Sequence, residues 1–141
     1  MLNEFLSNTP IWAGLVSWLA AQVIKVILTL FCDKKFDFTR LYGSGGMPSS
    51  HTALVMALTF SIGKIYGFNT PSFAVALIFS FIVMYDAANV RLEAGKQAAL
   101  LNELLFHSGV KVDVKLKELL GHTPVQVIAG AVLGICIGLL F

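Results

Sequence analysis

Two histidines at the starts of apolar segments are the residues best suited to carry out chemistry. His51 ends the stretch GGMPSSH at residues 45–51, and His122 begins the stretch HTPVQVIAGAVLG at residues 122–134. An imidazole changes its charge near neutral pH, so it can attack as a nucleophile or transfer a proton. If both apolar segments are helices, each histidine lies at a helix N-terminus, where free backbone N–H groups and the helix dipole attract an anion. The two stretches therefore predict a shared anion site.

The residues beside the two histidines favour phosphate over a metal ion. Gly45 and Gly46 allow the backbone to approach a ligand closely, and Ser49 and Ser50 add two hydroxyl donors. A metal ion would require neutral imidazoles with carboxylate or thiolate partners, whereas the charged residues near this site are mostly cations. We therefore expect a phosphate site without a metal or another cofactor. The alternative for each histidine is a helix cap or a surface residue without a functional role.

Gln126 follows His122 by four residues, which is about one helical turn. Its amide oxygen can accept the imidazole N–H and so orient the other ring nitrogen for attack. His51 can then protonate the leaving oxygen as a general acid. Together these residues predict phosphoryl transfer through a phosphohistidine, with His122 as the nucleophile and nearby cations neutralising the phosphate oxygens.

Lys25 and Asp86 are ionisable residues inside apolar segments, where a charge without a partner is costly. Each is therefore expected to face a charged partner or a wet cavity. We predict that both lie near the phosphate site, with Lys25 and Arg91 as cationic ligands and Asp86 as a supporting residue. The alternatives are that Lys25 extends to the membrane surface and that Asp86 is only a structural partner of Lys25 or Arg91.

The elements that must position these residues are predicted to be membrane helices. Of the 141 residues, 57% are hydrophobic and 13% are charged, and the mean hydropathy of +0.80 excludes an ordinary soluble domain. A helix needs roughly 20 apolar residues to cross a bilayer, and four runs reach or approach that length, at residues 11–31, 51 to about 66, 71 to about 91, and 123–141. The predicted fold is one all-α domain over residues 1–141. It is a polytopic membrane bundle of about four helices, with a short amphipathic helix in the loop before the last span.

Basic residues are distributed unequally between the two sides of such a bundle. With four spans, the loops at residues 32–50 and 92–122 lie on one side, and both termini lie on the other. Only Lys64 lies near the second side, whereas the first side carries Lys34, Lys35, Arg40, Lys96, Lys111, Lys115 and Lys117. Since basic loops favour the cytoplasm, we predict a multi-pass protein of the cell membrane. Both termini are expected outside, and the phosphate site is expected on the cytoplasmic side.

Gly130, Gly134 and Gly138 recur every four residues in the last predicted span, so they share one helix face. Such a stripe of small residues lets another membrane helix approach closely. We therefore predict a close helix contact at this stripe. Its partner is either another helix of the same chain or a second copy, in which case the protein is a homodimer.

The same stretches resemble the motifs of the type 2 phosphatidic acid phosphatases. GGMPSSH resembles the second motif of that family, and GHTPVQVIAGAVLG at residues 121–134 resembles the third motif, which leads into a Gly- and Ala-rich helix. With YDAANVRLEAGKQAALLNEL at residues 85–104 between them, the chain is similar over about residues 12–134 to the divergent branch of this superfamily. Acid phosphatases and vanadium haloperoxidases are described as related to that branch. The resemblance implies a helical membrane protein that hydrolyses phosphate esters without a metal ion.

The resemblance also implies roles for individual residues. It places the nucleophile at His122 and the general acid at His51. Lys25 falls at the lysine of the first motif. The positions that bind phosphate in the family fall at Gly45, Gly46, Ser49 and Ser50, with Ser50 in place of the usual glycine.

The chain departs from the family motifs in its charged residues. In the first family motif the lysine is followed downstream by an Arg-Pro pair, but no such pair follows Lys25. Arg40 is the candidate replacement for the arginine of that pair. The family motif has an arginine six residues before the nucleophile, but this chain has Leu116 at that position. Lys115, Lys117 or Arg91 would have to compensate for the missing arginine. Gln126 replaces the aspartate that orients the nucleophile, and an amide cannot stabilise an imidazolium by charge.

Two functions follow from these expectations. The first is a metal-independent phosphatase that acts on a phosphorylated lipid or isoprenoid at the cytoplasmic face. The second is a phospholipid-binding or transport-related membrane protein that keeps the phosphate pocket but has weak or no catalytic activity. In both cases the expected partners are membrane lipids and not nucleic acid.

Overall fold

The computed structural model describes residues 2–33, 46–107, 115–118 and 120–141. Within these ranges every regular element is a helix and no strand is present, which confirms the predicted all-α class. The elements are α1 (Leu2–Leu6), α2 (Thr9–Asp33), α3 (Ser50–Tyr66), α4 (Pro71–Tyr85), a π-helical turn (Asp86–Val90), α5 (Arg91–His107) and α6 (Pro124–Leu140). We call the π-helical segment the π-turn.

Among the residues that the structure describes, two helical segments are long and apolar enough to cross a membrane. They are Thr9–Phe31, within α2, and Pro71–His107, which runs through α4, the π-turn and α5. The apolar helix α6 is shorter, with 17 residues. Large apolar side chains cover the outside of these helices, and Val75 on α4 is 71% exposed. Because water-soluble proteins rarely expose such large apolar surfaces, this bundle fits a hydrocarbon environment.

The interior of the bundle is built from small and weakly polar side chains. The Ser17 hydroxyl of α2 donates to the Ala53 carbonyl of α3 at 3.0 Å. The hydroxyls of Thr59 and Ser80, both fully buried, share a hydrogen bond of 2.8 Å that joins α3 to α4. Small residues inside and large apolar residues outside are typical of membrane bundles, where close packing and interhelical hydrogen bonds hold the helices together.

Local sequence signals explain where α4 and α6 begin. The Thr70 hydroxyl accepts the Phe73 N–H at 3.3 Å, and Pro71 is the first helical residue. Thr123 caps α6 in the same way, directly before Pro124. Proline suits the first helical position because its missing N–H would have no helical partner there. The predicted spans at residues 71 and 123 therefore start within one residue of the observed helices.

Three predicted spans match observed helices within two residues at each end. The runs at residues 11–31, 51–66 and 123–141 correspond to α2, α3 and α6. The run at residues 71–91 differs, because α4 ends at Tyr85 and the chain continues through the π-turn into α5. Nothing in the hydropathy pattern distinguishes a π-turn from the α-helix around it.

The glycine stripe of α6 packs against α3, which lies at the centre of the bundle and also contacts α2 and α4. A Cβ atom added at Gly130, Gly134 or Gly138 would lie 2.4–2.5 Å from a backbone carbonyl oxygen of α3 or of its N-cap residue, Ser49. Real side chains do not approach so closely, so only glycine allows this helix crossing. The predicted close contact is confirmed, and its partner is a helix of the same chain.

The predicted amphipathic helix before the last span is wrong where the structure describes that loop. Residues 115–118 are not helical. Instead, the Asn102 side chain of α5 pairs with both backbone groups of Leu116, donating to its carbonyl at 2.8 Å and accepting its N–H at 2.9 Å. The hydrogen bonds of this segment thus go to α5 rather than to a helix of its own. The rest of the predicted helix, at residues 108–114 and 119, lies outside the described residues.

Candidate active site

A small cavity brings together the two histidines and an ion pair. It lies between α3, the end of α4, the π-turn, the start of α5 and the segment before α6. We call it the site cavity, and its lining residues are His51, Val83, Asp86, Ala87, Arg91, Leu120 and His122. Four of the predicted site residues therefore meet at this cavity: His51 of α3, Asp86 of the π-turn, Arg91 of α5 and His122 before α6.

The segment Pro71–His107, which comprises α4, the π-turn and α5, is called the long helix. Close backbone contacts with the long helix fix the position of His122. Its backbone N–H donates to the carbonyl of Ala87 in the π-turn at 3.0 Å. The preceding residue, Gly121, lies so near the helix that an added Cβ would be 2.3 Å from the Leu92 nitrogen. The His122 side chain is consequently enclosed, with only 2% of the residue exposed.

Gln126 contacts His122 as the sequence predicts, and it also closes the cap of α6. Its Oε1 atom lies 3.3 Å from His122 Nδ1 and accepts the Thr123 N–H at 3.1 Å. The Thr123 hydroxyl in turn accepts the Gln126 N–H, which completes a capping box. Because the Thr123 N–H already donates to Oε1, this atom acts as an acceptor, and in the Nδ1–H tautomer of His122 it also accepts the ring proton. In that tautomer His122 Nε2 carries the lone pair that a nucleophile requires.

The surroundings of His122 also set its charge. Burial lowers the pKa of His122 below its ordinary value of 6.5; the hydrogen bond to Gln126 opposes this shift, and the charges of Lys25 and His51 add to it. The imidazole is therefore neutral at neutral pH. A neutral ring is the form that can attack phosphorus.

The π-turn places Asp86 and Arg91 on the same side of the long helix. Residues five apart diverge on an α-helix, but the wider π-turn closes a hydrogen bond from residue i to residue i+5, here from the Arg91 N–H to the Asp86 carbonyl. The side chains of these two residues are also paired, since Arg91 Nε donates to Asp86 Oδ2 at 2.5 Å. Arg91, one of the two partners that the sequence offered for Asp86, is thus paired with it. The two Nη groups of the guanidinium are further donors that suit phosphate oxygens.

The segment before α3 joins the two histidine-bearing helix starts. Gly46 has a φ of 86°, a left-handed conformation that favours glycine, and its backbone hydrogen-bonds the His122 ring. The Ser49 N–H donates to the Gln126 carbonyl at 3.0 Å. The first turns of α3 and α6 are thereby held side by side, which places His51 opposite His122.

The two serines before His51 are buried but do not line the site cavity. The Ser49 hydroxyl accepts a hydrogen bond from the Thr52 hydroxyl at 3.0 Å, and Ser50 is the first residue of α3. A role for these hydroxyls in phosphate binding stays a prediction.

Lys25 lies in the interior of the bundle and is only 1% exposed. The alternative in which it extends to the membrane surface is therefore wrong. Its charge acts on the imidazoles of both His51 and His122, although it does not line the site cavity itself. Lys25 thus adds positive potential behind the two histidines.

Two of the remaining predicted site residues lie away from the site cavity. Lys115 and Lys117 are exposed on the segment before α6, away from the lining of the site cavity, and Lys115 pairs with Glu118 at 3.2 Å. Arg40 and Gly45 lie outside the described residues.

The sequence pattern did not reveal the residues that hold the segment before His122 against α5. Asn102 binds Leu116 as described above, and its Nδ2 atom also donates to Glu118 Oε1 at 2.8 Å. Gly95 makes room for the segment, since a Cβ there would lie 2.3 Å from the Glu118 carbonyl oxygen. A contact between residues so far apart in sequence leaves no local pattern. The one available signal was an asparagine within a leucine-rich helix.

The sequence of the chain was compared with known protein families. The model of the family described as "Divergent PAP2 family" matches residues 6–137. The chain belongs to the divergent PAP2 family. A relative from Bacillus subtilis (strain 168), named "Uncharacterized membrane protein YuiD", is 38% identical over an alignment of 150 positions that covers 96% of this chain and 95% of that protein. No solved structure matches the chain.

Membership of the divergent PAP2 family confirms the resemblance found in the three motif stretches. The name of the Bacillus relative as a membrane protein agrees with the two long apolar helices of this chain. The divergent PAP2 protein described here is therefore a membrane protein related to phosphatases.

Proposed function

We propose that this divergent PAP2 protein is a metal-independent membrane phosphatase that acts on a phosphorylated lipid or isoprenoid. The observation that carries the proposal is the site cavity, where two imidazoles and a guanidinium face one small space. These groups supply a nucleophile, a proton donor and an anion ligand, which are the three roles that phosphoryl transfer to a histidine requires.

In the proposed reaction, His122 Nε2 attacks the phosphorus atom, and a P–N bond forms as the P–O bond to the lipid breaks. His51 donates a proton to the leaving oxygen, so the lipid alcohol departs. A water molecule then gives a proton to His51 and attacks the phosphohistidine, which releases inorganic phosphate and restores His122. Arg91, Lys25 and the N-termini of α3 and α6 stabilise the negative charge on the phosphate oxygens.

We propose that α2, α3, α4 and α6 each cross the membrane, with both termini outside and the site cavity at the cytoplasmic ends of the helices. Two observations support this topology. The cavity lies at the starts of α3 and α6, and the basic residues of the sequence concentrate in the loops at the same ends. In this arrangement the partners are membrane lipids. Because α3 occupies the glycine stripe, a homodimer would have to use another surface.

The second candidate function is a phosphate-binding or lipid-transporting protein with weak or no turnover. The neutral Gln126 favours it, because an amide fixes the tautomer of His122 but does not stabilise the imidazolium that forms as the reaction proceeds. The carboxylate that lines the site cavity, Asp86, pairs with Arg91 and does not take over this task.

Phosphate release by the purified protein in liposomes tests the proposal. We expect release of inorganic phosphate from phosphatidic acid or an isoprenyl phosphate, inhibition by orthovanadate, and loss of activity in His122→Ala and His51→Ala. His107→Ala is the matched control, since this histidine is exposed on α5 with its ring hydrogen-bonded to the Glu103 carbonyl. Release that survives His122→Ala would contradict the proposal. Vanadate-sensitive lipid binding without release would favour the second candidate.

A further inference from the structure

The site cavity is too small to hold a phosphate group in the observed arrangement. Its volume is about 10 Å³, roughly the space that a single water molecule occupies. A phosphate group consists of a phosphorus atom and its oxygens, so it does not fit. His51 and Arg91 are exposed at the rim of the cavity, whereas only 2% of His122 is exposed. A phosphate ester can therefore reach His122 only if one wall of the cavity moves.

The walls of the site cavity differ in what their movement would break. Most of the lining residues lie on α3 and the long helix, which are joined by the buried hydrogen bond between Thr59 and Ser80. Leu120 is different, because it belongs to a segment without regular secondary structure. We call this segment, residues 115–118, 120 and 121, the strap. It is the wall that can move while the helices stay packed.

Two features of α5 keep the strap in place. The Asn102 side chain donates to the Leu116 carbonyl at 2.8 Å, accepts the Leu116 N–H at 2.9 Å and donates to Glu118 Oε1 at 2.8 Å. Gly95 precedes Asn102 by seven residues, about two helical turns, so both lie on the face of α5 that the strap covers. A Cβ atom at Gly95 would lie 2.3 Å from the Glu118 carbonyl oxygen. The strap is thus held by one amide side chain and accommodated by one missing side chain.

We infer that Asn102 is a positioning residue that holds the strap closed beside His122, and that the strap opens to admit a phosphate group and then closes again. The inference rests on the proposed function and adds the step by which the substrate enters. Asn102 touches neither the cavity nor the phosphate, so it acts only through the strap. It therefore controls how fast phosphate enters and leaves, and not how tightly phosphate binds.

Chemical modification of His122 measures the opening directly and needs no substrate. Diethyl pyrocarbonate modifies accessible neutral imidazoles, and mass spectrometry of the full-length protein in liposomes compares His122 with the exposed His107 of the same chain. Asn102→Ala removes the hydrogen bonds to the strap, and Gly95→Ala pushes the strap away by a methyl group. We expect each variant to modify His122 about tenfold faster, which corresponds to about 1.4 kcal/mol, the net contribution of one or two hydrogen bonds.

A matched control variant lies on the same helix. Gln97 is an exposed amide side chain of α5, and Gln97→Ala should leave the modification of His122 unchanged. Circular dichroism melting shows which variants fold. If Asn102→Ala does not fold, Gly95→Ala still tests the inference, because alanine favours the helix more than glycine does.

Exchange of inorganic phosphate distinguishes control of entry from simple support of the site. The rates come from the broadening of the phosphate signal in phosphorus NMR. Since the strap is closed with and without phosphate, weaker hydrogen bonds to Asn102 raise the free energy of both closed states equally. We therefore expect Asn102→Ala to increase the association and dissociation rates of phosphate about tenfold each and to leave its Kd unchanged. A residue that only shapes the site would change the Kd.

Three results would overturn the inference. The first is unchanged modification of His122 in both strap variants. The second is faster modification in Arg91→Ala alone, which would show that access is limited by the guanidinium at the rim. The third is a weaker Kd for phosphate in Asn102→Ala without faster exchange. If the wild-type protein neither binds inorganic phosphate nor hydrolyses a lipid phosphate, the proposed function fails, and the modification of His122 still decides whether the strap opens.

Discussion

Replacing Gly130 by alanine should separate the contribution of helix packing to stability from its contribution to the site. The added Cβ would lie 2.4 Å from the Ser49 carbonyl oxygen, where ordinary contact begins at 3.4 Å. The second turn of α6 must therefore move away from the start of α3 by about 1 Å. Overpacking of this kind costs roughly 1–3 kcal/mol of folding free energy. The shift would also strain the hydrogen bond from the Ser49 N–H to the Gln126 carbonyl, which holds the two helix starts together.

Gly138→Ala is the matched control on the same helix face. Its Cβ would lie 2.5 Å from the Ala57 carbonyl oxygen, so the steric conflict is nearly the same. However, this position is eight residues further along α6, about 12 Å from Gly130. Both variants should lose similar thermal stability in detergent. Phosphate release should fall about a hundredfold only in Gly130→Ala, because a displacement of about 1 Å at a catalytic site can have that effect.

Two results would refute this account of the helix contact. If Gly138→Ala loses as much activity as Gly130→Ala at equal stability, the start of α6 does not act locally on the site. If Gly130→Ala keeps both its melting temperature and its activity, then α6 does not approach α3 as closely as the structure shows. Circular dichroism melting and phosphate release on the same preparations would provide both measurements.

The remaining predictions concern the charges of the site and the topology. Arg91→Ala should weaken inhibition by inorganic phosphate at least tenfold, because it removes the guanidinium that lines the cavity; unchanged inhibition would exclude Arg91 as a ligand. Burial lowers the pKa of His122 from its ordinary value of 6.5. Because protonated His122 cannot attack phosphorus, kcat/KM should fall with decreasing pH only below about pH 6.5. Gln126→Glu keeps the side-chain length and adds a negative charge, so it should increase the rate and move this acid limb to higher pH; a lower rate with an unmoved limb would contradict the assigned orienting role. In the proposed topology, a cysteine at Lys96 should react with an impermeant reagent only in opened cells and one at Asn69 in intact cells, and the reverse pattern would invert the topology.

Much of the fold could be predicted from the sequence because membrane helices are encoded locally. Apolar runs of sufficient length predicted both ends of α2, α3 and α6 to within two residues. Thr-Pro pairs indicated the starts of α4 and α6. The glycine spacing of four predicted a close contact, although it did not distinguish a partner helix in the same chain from one in a second copy. The π-turn could not be predicted, since DAANV has no feature that separates a wide helical turn from an α-helical one.

The candidate site was predictable where its chemistry depends on residue type. Two histidines at helix starts and a glutamine one turn after the second were sufficient to predict the imidazole–amide contact. The additional role of Gln126 in the capping box was also readable, because Thr123 and Gln126 have the spacing of that motif. By contrast, the loop before His122 was predicted to be helical from its amphipathic pattern. Its hydrogen bonds to Asn102 are tertiary contacts, and local propensity contains no information about them.

In the proposed reaction His122 becomes phosphorylated during turnover. The most direct measurement is rapid quenching of the protein with a lipid substrate labelled with ³²P, followed by alkaline peptide mapping, which preserves phosphohistidine. We expect one labelled peptide that contains His122, label that disappears on chase with unlabelled substrate, and no label in His122→Ala. A wild-type protein that releases phosphate without labelling His122, or that carries the label at another residue, would contradict it.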